Sequence, residues 1–157
     1  MQHHRFASFF AAALFSSAVL VSNAQEAPKL PDGHVGVHYY RADGSYNGWG
    51  LHLWESFDKV ENGKVTGPKA KSDQPLQGVS WGSPMQPTGK SDFGMYWHIK
   101  ADEFRNGKVN YILHKGDTKD QCGKDQAFFN PPTKEIFVNA GDCNTYFSKE
   151  EAIKARK

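Results

Sequence analysis

His52 and Trp54 stand two residues apart in the run Trp49-Gly50-Leu51-His52-Leu53-Trp54. Alternate side chains of a strand leave on opposite faces, so Trp49, Leu51 and Leu53 mark a core side and His52 and Trp54 share the other. The two outer rings would then lie about 7 Å apart along the strand. A tryptophan on a solvent face costs solubility unless something covers it, and a sugar suits that task. The CH face of a pyranose packs on an aromatic plane, while its hydroxyl rim exchanges hydrogen bonds with charged and amide side chains. Trp54 is the expected platform and His52 a smaller second one. The competing reading has Trp54 closing the edge of the core.

Other chemistry is less well supported. Asp117, Asp120 and Asp125 fall close together, and glycoside hydrolysis needs two carboxylates about 5 to 9.5 Å apart across a cleft. Gly116-Asp117-Thr118-Lys119-Asp120 is nevertheless ordinary turn chemistry, and so small a chain has little room for a deep cleft. A small glycoside hydrolase built on these acids is one rival reading; an envelope protein-interaction module using Trp54 and Tyr40 is another. The chain has no HExxH, GxSxG or Gly-rich phosphate loop. Among His34, His38, His52, His98 and His114, only His34 and His38 show a ligand-like spacing, and they lie near a strand's start. His98 and His114 are read as half-buried, hydrogen-bonded strand residues, and neither a metal nor a cofactor is expected. Cys122 and Cys143 lack a CxxC spacing and nearby histidines, so a structural disulfide is expected, closing a loop worth about 3 kcal/mol.

These residues need a scaffold of short strands. Fifteen Gly, eleven Phe, six Tyr and four Trp make a turn-rich, aromatic composition that favours strands over long helices. A formal charge of +2 is too even for a chain that counts phosphates, so nucleic acid is not an expected partner. Residues 1–24 read as a signal peptide: Arg5 in a polar start, Phe9 to Val21 as an apolar stretch too short to span a bilayer, and Ser22-Asn23-Ala24 as the exit. The mature protein is expected to begin at Gln25, exported to the periplasm or outside the cell. Residues 25–33 then form a tether, 34–148 one domain and 149–157 a charged tail with a short helix capped by Ser148. Strands are expected over Val35 to Tyr40, where Val35, Val37 and Tyr39 alternate with Gly36, His38 and Tyr40 as in a strand with one buried face, and over Trp49 to Trp54, Gly94 to Lys100, Lys108 to His114, Glu135 to Asn139 and Asn144 to Phe147. Residues 55–92 read as loops with a short strand near Val79 to Trp81. Such spacing without crossover helices describes an all-β, antiparallel β-sandwich.

Val37-His-Tyr-Tyr-Arg-Ala-Asp-Gly-Ser-Tyr-Asn-Gly-Trp-Gly-Leu-His-Leu-Trp54 resembles the opening of the pullulanase-associated, family 41 carbohydrate-binding module. Trp81-Gly-Ser-Pro-Met-Gln-Pro-Thr-Gly with Asp92-Phe-Gly94 resembles its middle, and Val109-Asn-Tyr-Ile-Leu-His-Lys-Gly-Asp-Thr-Lys-Asp120 its HKGD…KD segment. The resemblance, over about residues 35 to 147, implies an immunoglobulin-like β-sandwich that binds α-glucans such as amylopectin, pullulan and maltooligosaccharides without catalysis. Carried over by motif, the implied binding residues are His52, Trp54, Lys119 and Asp125. His52 stands where some members have Trp, and Cys122 is not part of the family pattern. Family members usually precede a pullulanase or amylase catalytic domain, whereas this chain stops at Lys157. The expectation is a stand-alone secreted module that either captures glucan by itself or is a shortened relative that has lost its enzyme, with a separate glycoside hydrolase as its candidate partner.

Overall fold

The computed structural model describes residues 25–156; the expected signal peptide lies outside the described residues. In chain order the elements are β1 (His34–Tyr40), β2 (Gly50–Glu55), β3 (Lys59–Glu61), β4 (Lys64–Gly67), β5 (Gln74–Pro75), β6 (Gly89–Lys90), β7 (Met95–Lys100), β8 (Lys108–Lys115), β9 (Thr118–Lys119), β10 (Gln126–Phe129), β11 (Glu135–Asn139) and α1 (Lys149–Lys154). Strands β11-β1-β7-β6 form one sheet, β10-β8-β2-β5, with β9 on β8, form a second, and β3 and β4 pair as a separate two-stranded sheet. Among the described residues no helix is long and apolar enough to cross a membrane.

The core follows from parity. Val35, Val37 and Tyr39 of β1, Trp97 and Ile99 of β7, and Ile136 and Val138 of β11 meet Leu51 and Leu53 of β2 and Val109, Tyr111 and Leu113 of β8 in one buried cluster. Trp49 joins it. The result is an all-β sandwich. Its pairings are antiparallel except for β1 with β11, which run parallel.

Local structure departs from the sequence expectation in four places. Residues 55–92 contain the hairpin β3–β4 around Asn62-Gly63, a strong two-residue turn signal, but its apolar content is Val60 and Val65, too little to show a period. No strand forms at Val79 to Trp81. Ser80 and Ser83 instead close a tight turn through reciprocal 3.1 Å bonds, and Pro84 behind them has no N–H to extend a ladder. In place of an Asn144 to Phe147 strand, Tyr146 makes a single bridge with Phe137, while Asp142 takes the Asn144 N–H. Finally, β1 is buried on both faces: His38, on the outer one, is covered because Phe93, Phe137 and Ala152 of α1 build a second apolar cluster there.

The expected C-terminal helix is present, with Ser148 Oγ accepting from Glu151 N at 3.2 Å. Ala152 is fully buried, and its carbonyl accepts from Asn139 Nδ2 at 2.7 Å, so the charged tail closes the outer face of a sheet. Ala152→Glu should therefore lower unfolding free energy by about 3 kcal/mol in urea melts, overpacking being joined by a buried charge. Ile153→Glu, on the exposed side of the same helix, should change it by less than about 0.5 kcal/mol.

Candidate functional site

The outer face of the β10-β8-β2-β5 sheet collects the residues singled out by type and spacing. Leu51 and Leu53 point inward and are fully buried, so His52 and Trp54 point outward, half-buried. They stand opposite Ile112 and Asn110 of β8, and Gly50 stands opposite His114. The His52 and Trp54 rings are 5.8 Å apart and inclined by 28°.

Trp81 completes this face, and sequence reasoning did not include it among the site residues. Its ring stacks on His114 at 4.0 Å and 9° and meets His52 nearly edge-on at 5.6 Å. Its indole Nε1 donates to Asp117 Oδ1 at 3.0 Å. Trp81 lies in an aperiodic turn, so spacing carries no information on where it lands; a tryptophan among Gly, Ser and Pro was the available signal. Gly50 admits it. A Cβ there would lie 2.8 Å from Pro84 Cγ, whereas the bare backbone lets the 80–85 segment fold across β2 and pair Met85 with Leu51.

Lys119 Nζ sits 5.5 Å from the Trp81 ring centre and donates to Asp125 Oδ1 at 3.1 Å. Thus His52, Trp54, Lys119 and Asp125 come together around Trp81. The aspartates have separate duties. Asp117 holds Trp81, Asp125 pairs with Lys119, and Asp120 turns inward, where its carboxylate accepts from the Tyr39 hydroxyl, Gln121 N and Gly141 N. Cys122 and Cys143 form the expected disulfide, with Cα atoms 5.1 Å apart, beside the left-handed backbone of Gln121 and Cys122.

Two histidine readings need correction. His114 is fully buried rather than half-buried, because Trp81 lies flat on it, and its Nδ1 bonds the Gly116 carbonyl at 2.8 Å. His98 is half-buried, but its Nε2 has no hydrogen-bond partner among the described residues. Burial pushes His52 below its ordinary value, opposed by a hydrogen bond to the Ser80 backbone, with His114 adding to the depression. The ring between the two tryptophans is accordingly neutral at pH 7. Such a face offers flat apolar rings, an ammonium and two carboxylates to a neutral, hydroxyl-rich ligand.

The model of the bacterial pullanase-associated domain matches residues 33–147. An α-amylase from Streptomyces lividans is 32% identical over 114 residues, which are 73% of this chain and 10% of the amylase. Among solved structures, Klebsiella pneumoniae pullulanase complexed with maltotriose is similar with a TM-score of 0.58 and 22% identity, covering 87% of this chain and 13% of the pullulanase. A streptococcal family 41 carbohydrate-binding module studied for α-glucan recognition matches with a TM-score of 0.54 and 15% identity, over 79% of this chain and 51% of its own. The chain thus spans about a tenth of the length of the amylase it matches.

Two outcomes follow from this geometry. Asp120→Ala leaves the Tyr39 hydroxyl and the Gly141 N–H without their acceptor and should cost about 3 kcal/mol in a urea melt. Because the folded protein holds His52 below the ordinary value of 6.5, the unfolded chain binds its proton first as pH falls. The His52 contribution is therefore intact above pH 6.5 and is lost as pH drops from there towards the depressed value. His52→Asn should flatten that part of the stability profile.

Proposed function

The chain belongs to the bacterial pullanase-associated (pullulanase-associated) domain family, and from that membership we propose that it binds α-glucan chains without cleaving them, on the face formed by Trp54, His52 and Trp81. The observation that carries this reading is the ring set itself: two tryptophans flank a neutral imidazole, with Lys119 and Asp125 at hand. Pyranose faces stack on Trp54 and Trp81. Lys119 donates to sugar hydroxyls and Asp125 accepts from them. Trp81 supplies the aromatic area that His52 lacks relative to a second tryptophan, and Asp117 fixes its plane. Starch, amylopectin, pullulan and maltooligosaccharides fall within this class. The separate engagements of Asp117, Asp120 and Asp125 favour binding over hydrolysis.

The reading includes export, with cleavage after Ala24, since a Cys122–Cys143 disulfide persists best in an oxidising compartment. It also includes a glycoside hydrolase as partner, which the module would hold near its polymer.

Affinity electrophoresis in amylopectin, pullulan, cellulose and glucan-free gels tests the proposal. Trp54→Ala should lose on the order of 2 kcal/mol, roughly thirtyfold in affinity, with melting temperature nearly unchanged, and Trp81→Ala should lose as much affinity while also lowering the melting temperature, because it uncovers the buried His114 ring. Trp49→Ala should do the reverse, losing about 3 to 5 kcal/mol of stability, because Trp49 is buried beside Tyr39 at 5.6 Å. No reducing ends should appear from pullulan. Normal retardation of Trp54→Ala, or its unfolding, would contradict the assignment.

A further inference from the structure

The face that carries Trp54 continues past it to the edge strand of its sheet. Trp54 stands opposite Asn110 of β8, and Asn110 opposite Ala127 of β10; residues directly opposite share a face. Val109 and Phe128 are core residues, so Lys108 and Asn110 on β8 and Ala127 and Phe129 on β10 leave on the same outer side as Trp54. Ala127 is small and exposed, and Phe129 is half-buried. Two strand spacings across and two residues along, the Phe129 backbone lies about 12 Å from that of Trp54.

At this end the sheet meets a groove of about 480 Å³, bounded by the β3–β4 hairpin on one side and the turn after β10 on the other. Val60, Phe129, Pro131 and Pro132 give it apolar walls, Asn62 and Asn130 give it amides, and none of its lining residues is charged. In a chain with 23% charged residues, such a lining suits a neutral ligand that is apolar on its faces and polar at its rim. The walls are fixed from outside the groove. Lys108 Nζ donates to Asp58 Oδ2 at 2.6 Å, and Asn106 Nδ2 donates to the Ser56 and Asp58 carbonyls at 2.9 and 3.1 Å, which ties the root of the hairpin to the start of β8. At its tip, a Cβ on Gly63 would lie 3.7 Å from Phe129 Cβ. Asn130 is held by its Nδ2 donating to the Thr133 carbonyl at 3.0 Å.

We propose that this groove is a second subsite for the glucan chain held at Trp54, with Phe129 stacking on a pyranose face and Asn62 and Asn130 exchanging hydrogen bonds with its hydroxyls. The inference rests on the reading of the Trp54 and Trp81 face as a glucan site. Two uncharged, partly aromatic sites on one side of one sheet, with only the short Ala127 side chain exposed on the edge strand between them, fit a polymer better than a monosaccharide. Once one end of the chain is bound at Trp54, the other meets the groove at high effective concentration, so affinity rises with chain length.

Calorimetry on the full chain with maltotriose and maltoheptaose tests this, because the shorter sugar covers the Trp54 face alone. A longer chain also offers more binding frames, so the variants decide. Asn62→Gly keeps the left-handed backbone of that turn, where φ is 52°, and removes the amide; Phe129→Ala removes the ring. Each should weaken maltoheptaose binding roughly fivefold without a matching change for maltotriose, whereas Trp54→Ala should weaken both. Thermal melts separate lost binding from lost fold for Phe129→Ala, and Asn62→Gly decides if that variant unfolds. Maltoheptaose binding that is unchanged in these variants, or maltotriose binding that falls equally with it, would overturn the subsite while leaving the Trp54 site standing. Failure of the wild type to bind either sugar would overturn the glucan reading and the subsite with it.

Discussion

The buried carboxylate of Asp120 joins distant parts of the chain at one point. It takes a hydrogen bond from the Tyr39 hydroxyl of β1 and backbone N–H bonds from Gln121 and Gly141 at 2.7 and 2.8 Å. Tyr39 in turn accepts from Arg41 Nη1 at 2.9 Å, and the Arg41 guanidinium lies 4.7 Å from the Trp49 ring centre. Burial, reinforced by Asp120, pushes the Tyr39 phenol upward, so it remains a donor throughout the physiological range. One carboxylate thus links β1, the approach to β2 and the loop after β9. The adjacent Lys119 points the other way, towards Trp81. Asp120 fixes the backbone from below so that Lys119 need not be ordered by ligand, and the neighbouring disulfide limits the same loop further.

The parts of this arrangement that strand parity governs were legible in the sequence. Alternation placed His52 and Trp54 outside and the leucines of β2 inside, and the two cysteines could be paired from their number and setting. Parity is silent about what covers an outer face. Trp81 and His114 meet through an aperiodic turn, and the second cluster on the β11-β1-β7-β6 sheet depends on a six-residue helix far along the chain. Both are tertiary events, which is why His114 and His38 turned out more buried than the sequence suggested. The inward turn of Asp120 was likewise hidden, because Asp117, Asp120 and Asp125 look alike in a turn-forming stretch and differ in the donors that reach them.

The sandwich presents two chemically different outer faces. One is open and aromatic, with a neutral imidazole between two tryptophans. The other is largely covered, with imidazoles and a carboxylate around a glycine. Gly50 and Gly36 serve related ends: the first admits the 80–85 segment and its tryptophan, the second admits His38 Nε2 and Glu135 Oε1. In each case an omitted side chain lets other groups approach the sheet.

The four indole N–H resonances offer the most direct test of the aromatic face. Trp54 and Trp81 lie on it, whereas Trp49 and Trp97 are buried in the core, Trp97 Nε1 donating to the Met85 carbonyl at 2.9 Å. In a proton–nitrogen correlation spectrum titrated with maltotetraose, Trp54 and Trp81 should shift in a saturable way while Trp49 and Trp97 stay in place. Shifts confined to Trp49 and Trp97, or none at saturating sugar, would contradict the account.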